Sequence, residues 1–301
     1  MKTVLLTGAS GFIGRMLCNQ LHNHNYTLIG LTRNPERHQR LWPHVQWIGT
    51  LHNIPKTTRI DIVVNLAGAP LSEHRWSADV KHEIYTSRIN MTQQLYDFFE
   101  QHLIKPSIVI SGSAIGYYGP NQDNELTELS SPTDSFSHQL CAQWEYEAEK
   151  FQQFGSRVCL LRLGIVLDRN GGALQAMLPA FSFGLGGPMG DGKQWMSWIH
   201  RYDVIRLILF CLTNDIAGPI NAVSPMPVKN NIFAATLAKA LGRPCLLRMP
   251  GWVLKLLFGE MAEELLLSGQ RVVPDLALAK GFTFNYPKLD SAFEEIFNKD
   301  A

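Results

Sequence analysis

The sequence predicts an α/β fold, a doubly wound parallel sheet with a smaller α+β lobe interleaved with it. Three observations predict it. Strand-like and helix-like patterns alternate over the first two-thirds of the chain, as expected for a parallel sheet covered on both faces. The apolar run Val4-Leu5-Leu6 ends at once in a glycine-rich turn that opens an amphipathic helix. Beyond residue 167 the alternation loosens and glycine and proline accumulate. Residues 1–167 are therefore expected to form the sheet domain and 168–301 the second lobe.

Taken in order, residues 2–7 read as a buried strand. Phe12–Asn23 reads as a helix with Leu17 and Leu21 spaced i, i+4. Residues 27–32, 45–48 and 61–67 read as the second, third and fourth strands, and 77–100 as one long helix. Residues 106–111 form the fifth strand. Residues 136–154 form a helix striped by Phe136, Leu140, Trp144 and Phe151, and 157–166 form the sixth strand. Residues 184–191, rich in glycine, form a loop, and 195–200 a short strand. Asp203 is placed to cap the helix that follows. A further helix covers 228–242 and ends at Gly242, and 281–286 reads as a strand.

A chain of 301 residues buries roughly 75% of its unfolded surface, so it needs no metal or disulfide staple. Its net charge of +1 argues against nucleic-acid and membrane-surface partners and for a small molecule. The cysteines Cys18, Cys141, Cys159, Cys211 and Cys245 are odd in number and dispersed. That pattern fits reduced thiols in a cytoplasmic protein. No metal-ligand spacing, signal peptide or long apolar segment is read.

The turn Thr7-Gly8-Ala9-Ser10-Gly11-Phe12-Ile13-Gly14 suits a dinucleotide. Gly8 permits the tight turn, Gly11 the approach of a pyrophosphate, and Gly14 close packing of helix on strand. The free N–H groups of the helix start would face the phosphates. A tight turn without ligand is the alternative. At the end of the second strand an NAD site usually carries an acid. Here stand Thr32-Arg33-Asn34, with no acid until Glu36. Arg33 suits the 2′-phosphate of NADP through charge-assisted bonds, with Thr32 and Asn34 adding donors. NADP is thus expected over NAD; the alternative for Arg33 is a solvated surface side chain.

These residues resemble the extended branch of the short-chain dehydrogenase/reductase superfamily, with its Rossmann-type fold. Thr7–Gly14 is similar to its glycine signature. Asn65-Leu66-Ala67-Gly68 is similar to its N-x-A-G motif, and the run from Ser111 to Tyr118-Gly119 to its serine strand-end. Leu185-Gly186-Gly187-Pro188, Trp198-Ile199-His200, Gly259-Glu260-Met261-Ala262 and the run Leu267-Ser268-Gly269-Gln270-Arg271-Val272 resemble the atypical "epimerase family" group. That group has its own short C-terminal domain, here about 244–298.

The resemblance implies an NADP(H)-binding epimerase/dehydratase- or reductase-like protein acting on a small, sugar-like molecule. It implies cofactor contacts at Gly8, Ser10, Gly11, Phe12, Ile13 and Gly14, at Thr32 and Arg33, and at Leu66, Ala67 and Gly68. Glu83, Arg88 and Val166 complete the implied set. From the residues alone, Glu83 and Arg88 read as a surface ion pair. A homodimer paired through two helices is also implied.

Members of the superfamily carry Ser, Tyr and Lys. Ser113 fills the serine role, the alternative being a serine satisfied by local backbone. The Tyr and Lys positions fall on Ser137 and Cys141, which cannot do that chemistry. A literal Y-x-x-x-K at Tyr146 and Lys150 lies 33 residues after Ser113. It also faces about 200° around the helix from Trp144, so it reads as a decoy. Tyr117 and Tyr118 are alternative proton donors, or packing aromatics. Lys193, Gln194, Trp195 and His200 are candidates in the second lobe; Lys193 and Gln194 could bind an anionic or sugar-like substrate, and His200 reads as structural rather than catalytic. Gly269-Gln270-Arg271 could contact substrate, or Gly269 could simply cap a helix over 261–268, a reading that suffices to explain the glycine. The missing Tyr–Lys pair motivates a second function, a non-catalytic NADP(H)-binding regulator or redox sensor, which the resemblance ties to cell division.

Overall fold

The computed structural model describes residues 1–71, 75–121 and 123–298; residues 299–301 of the expected second lobe lie outside it. The strands of the main sheet are, in chain order, β1 Thr3–Thr7, β2 Thr27–Leu31, β3 Gln46–Ile48, β4 Ile62–Asn65, β5 Ile108–Ala114, β6 Arg157–Leu163 and β7 Gly218–Ala222. They form one parallel sheet in the order β3-β2-β1-β4-β5-β6-β7. The Rossmann-type sheet read from the sequence is present. Its last strand comes from beyond residue 167, so the chain returns to the first domain after starting the second.

Period-2 alternation divides the strands between two cores. Val4, Leu6, Ile108, Ile110, Cys159 and Leu161 face one side. There they meet α1, Phe12–Asn23, and α7, Arg201–Thr213. Leu5, Val63, Val109, Val158 and Leu160 face the other. There they meet α4, Ile89–Glu100, and Phe151 beyond α5, Phe136–Glu149. A third cluster packs α6, Gly172–Ser182, against α8, Asn230–Ala240, and α11, Leu289–Asn298, around Trp198 and Phe233. It is the core of the second lobe.

Several expectations are corrected. The helix expected over 77–100 is two, α3 (Ala78–Thr86) and α4, interrupted at Ser87 and Arg88. The sixth strand stops at Leu163, because Gly164 abuts the backbone of Ser197 and a Cβ there would lie 2.5 Å from Ser197 O. Ile165–Leu167 then leaves the sheet and pairs with Trp198–His200. The 195–200 strand is likewise split at Ser197, its first half pairing with Val228–Lys229. Asp203 does not cap α7: His200 Nδ1 accepts from Tyr202 N, while the Asp203 carboxylate takes the amides of Asn285 and Tyr286. Those two amides are thereby removed from any ladder, and 281–286 forms no strand. The helix before Gly242 does end as read, with Gly242 left-handed at φ +62°.

Candidate functional site

The C-terminal ends of β1 and β4 mark the point where strand order reverses, the place where open sheets bind ligands. There the chain encloses a cleft of about 850 Å³, lined by Gly8, Ser10, Gly11, Thr32, Arg33, Ala67, Gly68 and Glu83 among others. Residues read at four separate places in the sequence thus meet in one cavity. Gly8 has φ +64°, and a Cβ there would lie 2.5 Å from Leu66 O. A Cβ on Gly14 would lie 2.1 Å from Gly8 O. The turn has no room for a side chain at either position.

Gly11 caps α1 without a side-chain hydrogen bond, so the amides of Phe12 and Ile13 keep their capacity for an anion. The cradle fits a pyrophosphate. Under it runs a buried polar relay. Thr7 Oγ1 donates to Asn65 Oδ1 at 2.5 Å, Asn65 Nδ2 donates to Thr92 Oγ1 at 2.9 Å, and Ala67 N donates back to Thr7 Oγ1 at 3.2 Å. Asn65 of the N-x-A-G run thereby ties β1, β4 and α4 together.

At the end of β2, Arg33 is exposed on the cleft wall and pairs with no acid among the described residues. Thr32 is buried, and its hydroxyl shares a 3.1 Å hydrogen bond with His38 Nδ1. Asn34 Oδ1 accepts from Arg37 N, capping the helix Pro35–Leu41. Arg37 and Arg40 line a neighbouring hollow of about 330 Å³ with Asn34. Sequence reasoning missed both, although Arg37 and Arg40 stand i, i+3 on one helix, a spacing that was available to find them.

Arg88 overturns the surface ion-pair reading. It is only 8% exposed, and its guanidinium donates to Ala69 O at 2.9 Å and Ile84 O at 3.1 Å. It lies against Gly68 and over the Trp144 ring. Burial lowers its pKa to about 10. Arg88 sits at the break between α3 and α4, where its guanidinium and the Ser87 hydroxyl both donate to Ile84 O. Glu83 stays exposed on the cleft wall. Val166, Phe12, Gly171 and Gly172 meet beside the start of α1: a Cβ on Gly172 would lie 3.0 Å from Val166 O and 3.1 Å from the Phe12 ring.

Ser113 sits at the end of β5, as expected, but is 2% exposed. Its hydroxyl donates to Glu145 Oε1 at 2.6 Å. Arg162, beside Ser113 in the sheet register, grips the same carboxylate with two 2.8 Å bonds. Arg162 also donates to the Tyr118 hydroxyl at 3.1 Å, which donates to Asn221 Oδ1 at 2.7 Å. Burial pushes the Tyr118 phenol up to about 12. Tyr117 packs its ring under the Arg162 guanidinium at 3.4 Å.

The Tyr and Lys positions are occupied by protein contacts. Ser137 donates to Glu264 Oε2 from both its hydroxyl and its amide. Cys141 is buried, and desolvation pushes its thiol up to about 12. Tyr146 is exposed, and Lys150 pairs with Glu147 at 2.6 Å. His200 is buried against Tyr286 and pairs with Glu295 at 2.9 Å. Gln194 donates to the carbonyls of Met189 and Leu266, Trp195 donates to Asp123, and Lys193 is exposed. Gly269 caps nothing: the preceding turn is π-helical over Ala262–Leu266, and a Cβ on Gly269 would lie 2.1 Å from Trp195 O. Close backbone approach is the reason for this glycine. Among the described residues no His/Cys/Asp/Glu group is placed to hold a metal, and no helix is long and apolar enough to cross a membrane.

The comparisons with known proteins agree with the fold. The model of the NAD dependent epimerase/dehydratase family matches residues 4–223, and a domain of unknown function (DUF1731) matches 249–296. An epimerase family protein of Staphylococcus haemolyticus is 40% identical over 306 residues, covering 99% of this chain and 100% of the relative. A human epimerase family protein solved with NADPH superposes with a TM-score of 0.89 at 31% identity, covering 99% of each chain. A nucleoside-diphosphate sugar epimerase of Corynebacterium glutamicum gives 0.79 at 30%, over 99% of this chain and 58% of that one.

Proposed function

The chain belongs to the NAD-dependent epimerase/dehydratase family, and from that premise we propose that it binds NADP(H) and acts on a small, sugar-like molecule. The observation that carries the cofactor choice is the cleft itself, with a glycine cradle at one end and, on its wall, Arg33, which has no acidic partner among the described residues. Phe12, Ile13 and Gly14 would hold the pyrophosphate and Arg33 the 2′-phosphate. Leu66, Ala67, Gly68, Glu83 and Val166 would flank the rest, with Arg88 holding the Gly68–Ala69 turn in place. The bound nicotinamide would supply hydride chemistry. The human relative's NADPH supports this choice, and the sugar epimerase relative supports the substrate class.

Ser113 is the proposed catalytic residue, with a condition. A serine hydroxyl carries one proton to donate, and here it goes to Glu145. A substrate oxygen would have to displace that acceptor. This same observation, with Ser137 and Cys141 in the usual Tyr and Lys positions, favours a second reading, the non-catalytic NADP(H)-binding regulator or redox sensor.

Purified protein assayed with NADPH and a panel of nucleoside-diphosphate sugars separates the two. Turnover that Ser113→Ala abolishes, with cofactor affinity kept, establishes the enzyme. Tight NADPH binding without turnover on the panel sinks it in favour of the regulator.

A further inference from the structure

The near-neutral overall charge conceals a strongly asymmetric distribution. From residue 216 to residue 259 there is no Asp or Glu, while Lys229, Lys239, Arg243, Arg248 and Lys255 all fall in that stretch. Residues 170–190 carry no charge of either sign. The fold brings these two stretches together. A Cβ on Gly187 would collide with Leu247 O, Gly184 lies against Pro244, and Met189 bridges to Met249.

The face they form is apolar and projects into solvent. Leu246 is 85% exposed, Phe183 82%, Trp252 70%, Leu256 69% and Leu185 61%. Every residue from 246 to 250 is exposed. The helix Gly251–Phe258 buries only Leu254 in its own fold. Large apolar patches of this kind mark interaction sites.

Its charged neighbours state what the partner must be. Lys255 is paired with Glu263 at 2.8 Å, whereas Arg243 and Arg248 are exposed and have no acidic partner among the described residues. A two-fold contact through this face would set one acid-free, cation-bearing stretch against another, leaving Arg243 and Arg248 with no acid of that face to pair with. A planar, anionic, apolar-cored surface satisfies both the cations and the projecting side chains. Trp and Leu above a basic rim are the composition of an interfacial segment lying in the headgroup boundary.

We propose that the face built from residues 183–189 and 243–257 docks on an anionic lipid bilayer surface, with Leu246, Trp252 and Leu256 inserted and Arg243 and Arg248 at the headgroups. The chain would lie on the membrane without spanning it.

The test is flotation with vesicles of phosphatidylcholine alone and of equimolar phosphatidylcholine and phosphatidylglycerol. The expected result is flotation with the anionic vesicles only, weakening as salt rises. Arg243→Gln with Arg248→Gln should lower partitioning about 25-fold, about fivefold for each cation removed. Leu246→Ser with Trp252→Ser and Leu256→Ser should abolish flotation. These side chains are exposed, so folding should survive, and the two variants test the proposal independently. The proposal fails if the anionic vesicles do not float the protein, or if neither variant weakens flotation. It also fails if sedimentation shows a dimer that the serine variant dissolves while vesicles bind no protein, which would assign the face to a second copy. Capture by an acidic protein without any vesicle binding would overturn it equally.

Discussion

Arg162→Met should be among the most destabilising single changes in this protein. Glu145 is 5% exposed and would lose both 2.8 Å bonds from the guanidinium. It would stay buried with only the Ser113 hydroxyl, and Tyr118 would lose its 3.1 Å donor. Removing one partner of a buried ion pair costs about 3–5 kcal/mol, because the other charge is left uncompensated. For a chain of this length that is a fall in Tm on the order of 10 °C. The double variant Glu145→Leu with Arg162→Met removes both charges and should cost at least about 2 kcal/mol less than the single one. Urea and thermal denaturation followed by circular dichroism measure both. A single-variant cost under about 1 kcal/mol, or a double cost equal to the sum of the singles, would refute the claim that this pair is a coupled buried unit.

Three other outcomes follow. Gly14→Ala places a Cβ 2.1 Å from Gly8 O and 2.7 Å from Ala9 Cα, so the cradle must open; a fluorescence titration should show NADPH affinity reduced more than about tenfold (about 1.4 kcal/mol), and unchanged affinity would show that the cradle is not the site. Tyr146→Phe should leave stability within about 0.5 kcal/mol, and Tyr146→Phe with Lys150→Met should leave NADPH affinity unchanged; a loss of affinity would restore that pair as functional. Burial holds His102 and His200 below the ordinary histidine value of 6.5, so on unfolding they take up protons below that value and stability falls with acidification. Their contribution is whole above about pH 6.5 and is lost as pH drops toward the folded values. Melting curves should show a lower Tm on the acid side of that point, with a shallower loss in His200→Asn; a Tm that rises there would contradict the sign.

Local signals were legible wherever local physics decides. The limits of α1 follow from the glycine turn and the Leu17–Leu21 stripe, and the cleft residues from the strand ends that topology gathers. What was not legible depends on distant partners. Nothing near Arg88 in the chain reports that Ala69 O and the Trp144 ring will receive it, so one helix was read where there are two. Residues 281–286 alternate like a strand, yet Asp203, far away in sequence, takes two of their amides. Gly269 satisfies a capping pattern but serves a backbone contact with Trp195. Ser113 was found by its place at a strand end, whereas Glu145 and Arg162, which hold it, come from a helix and a neighbouring strand. Charge was read as a total, and its segregation onto one face required the fold.

The central claim is that this cleft takes NADP(H) through Arg33. Titration of the wild-type chain and Arg33→Ala with NADPH and NADH tests it most directly. Wild type should bind NADPH more tightly than NADH. Arg33→Ala should weaken NADPH about 10- to 100-fold, the worth of one charge-assisted bond of about 1.5–3 kcal/mol, and NADH by less than about threefold (about 0.65 kcal/mol). Equal losses for the two cofactors, or a wild-type preference for NADH, would contradict the account.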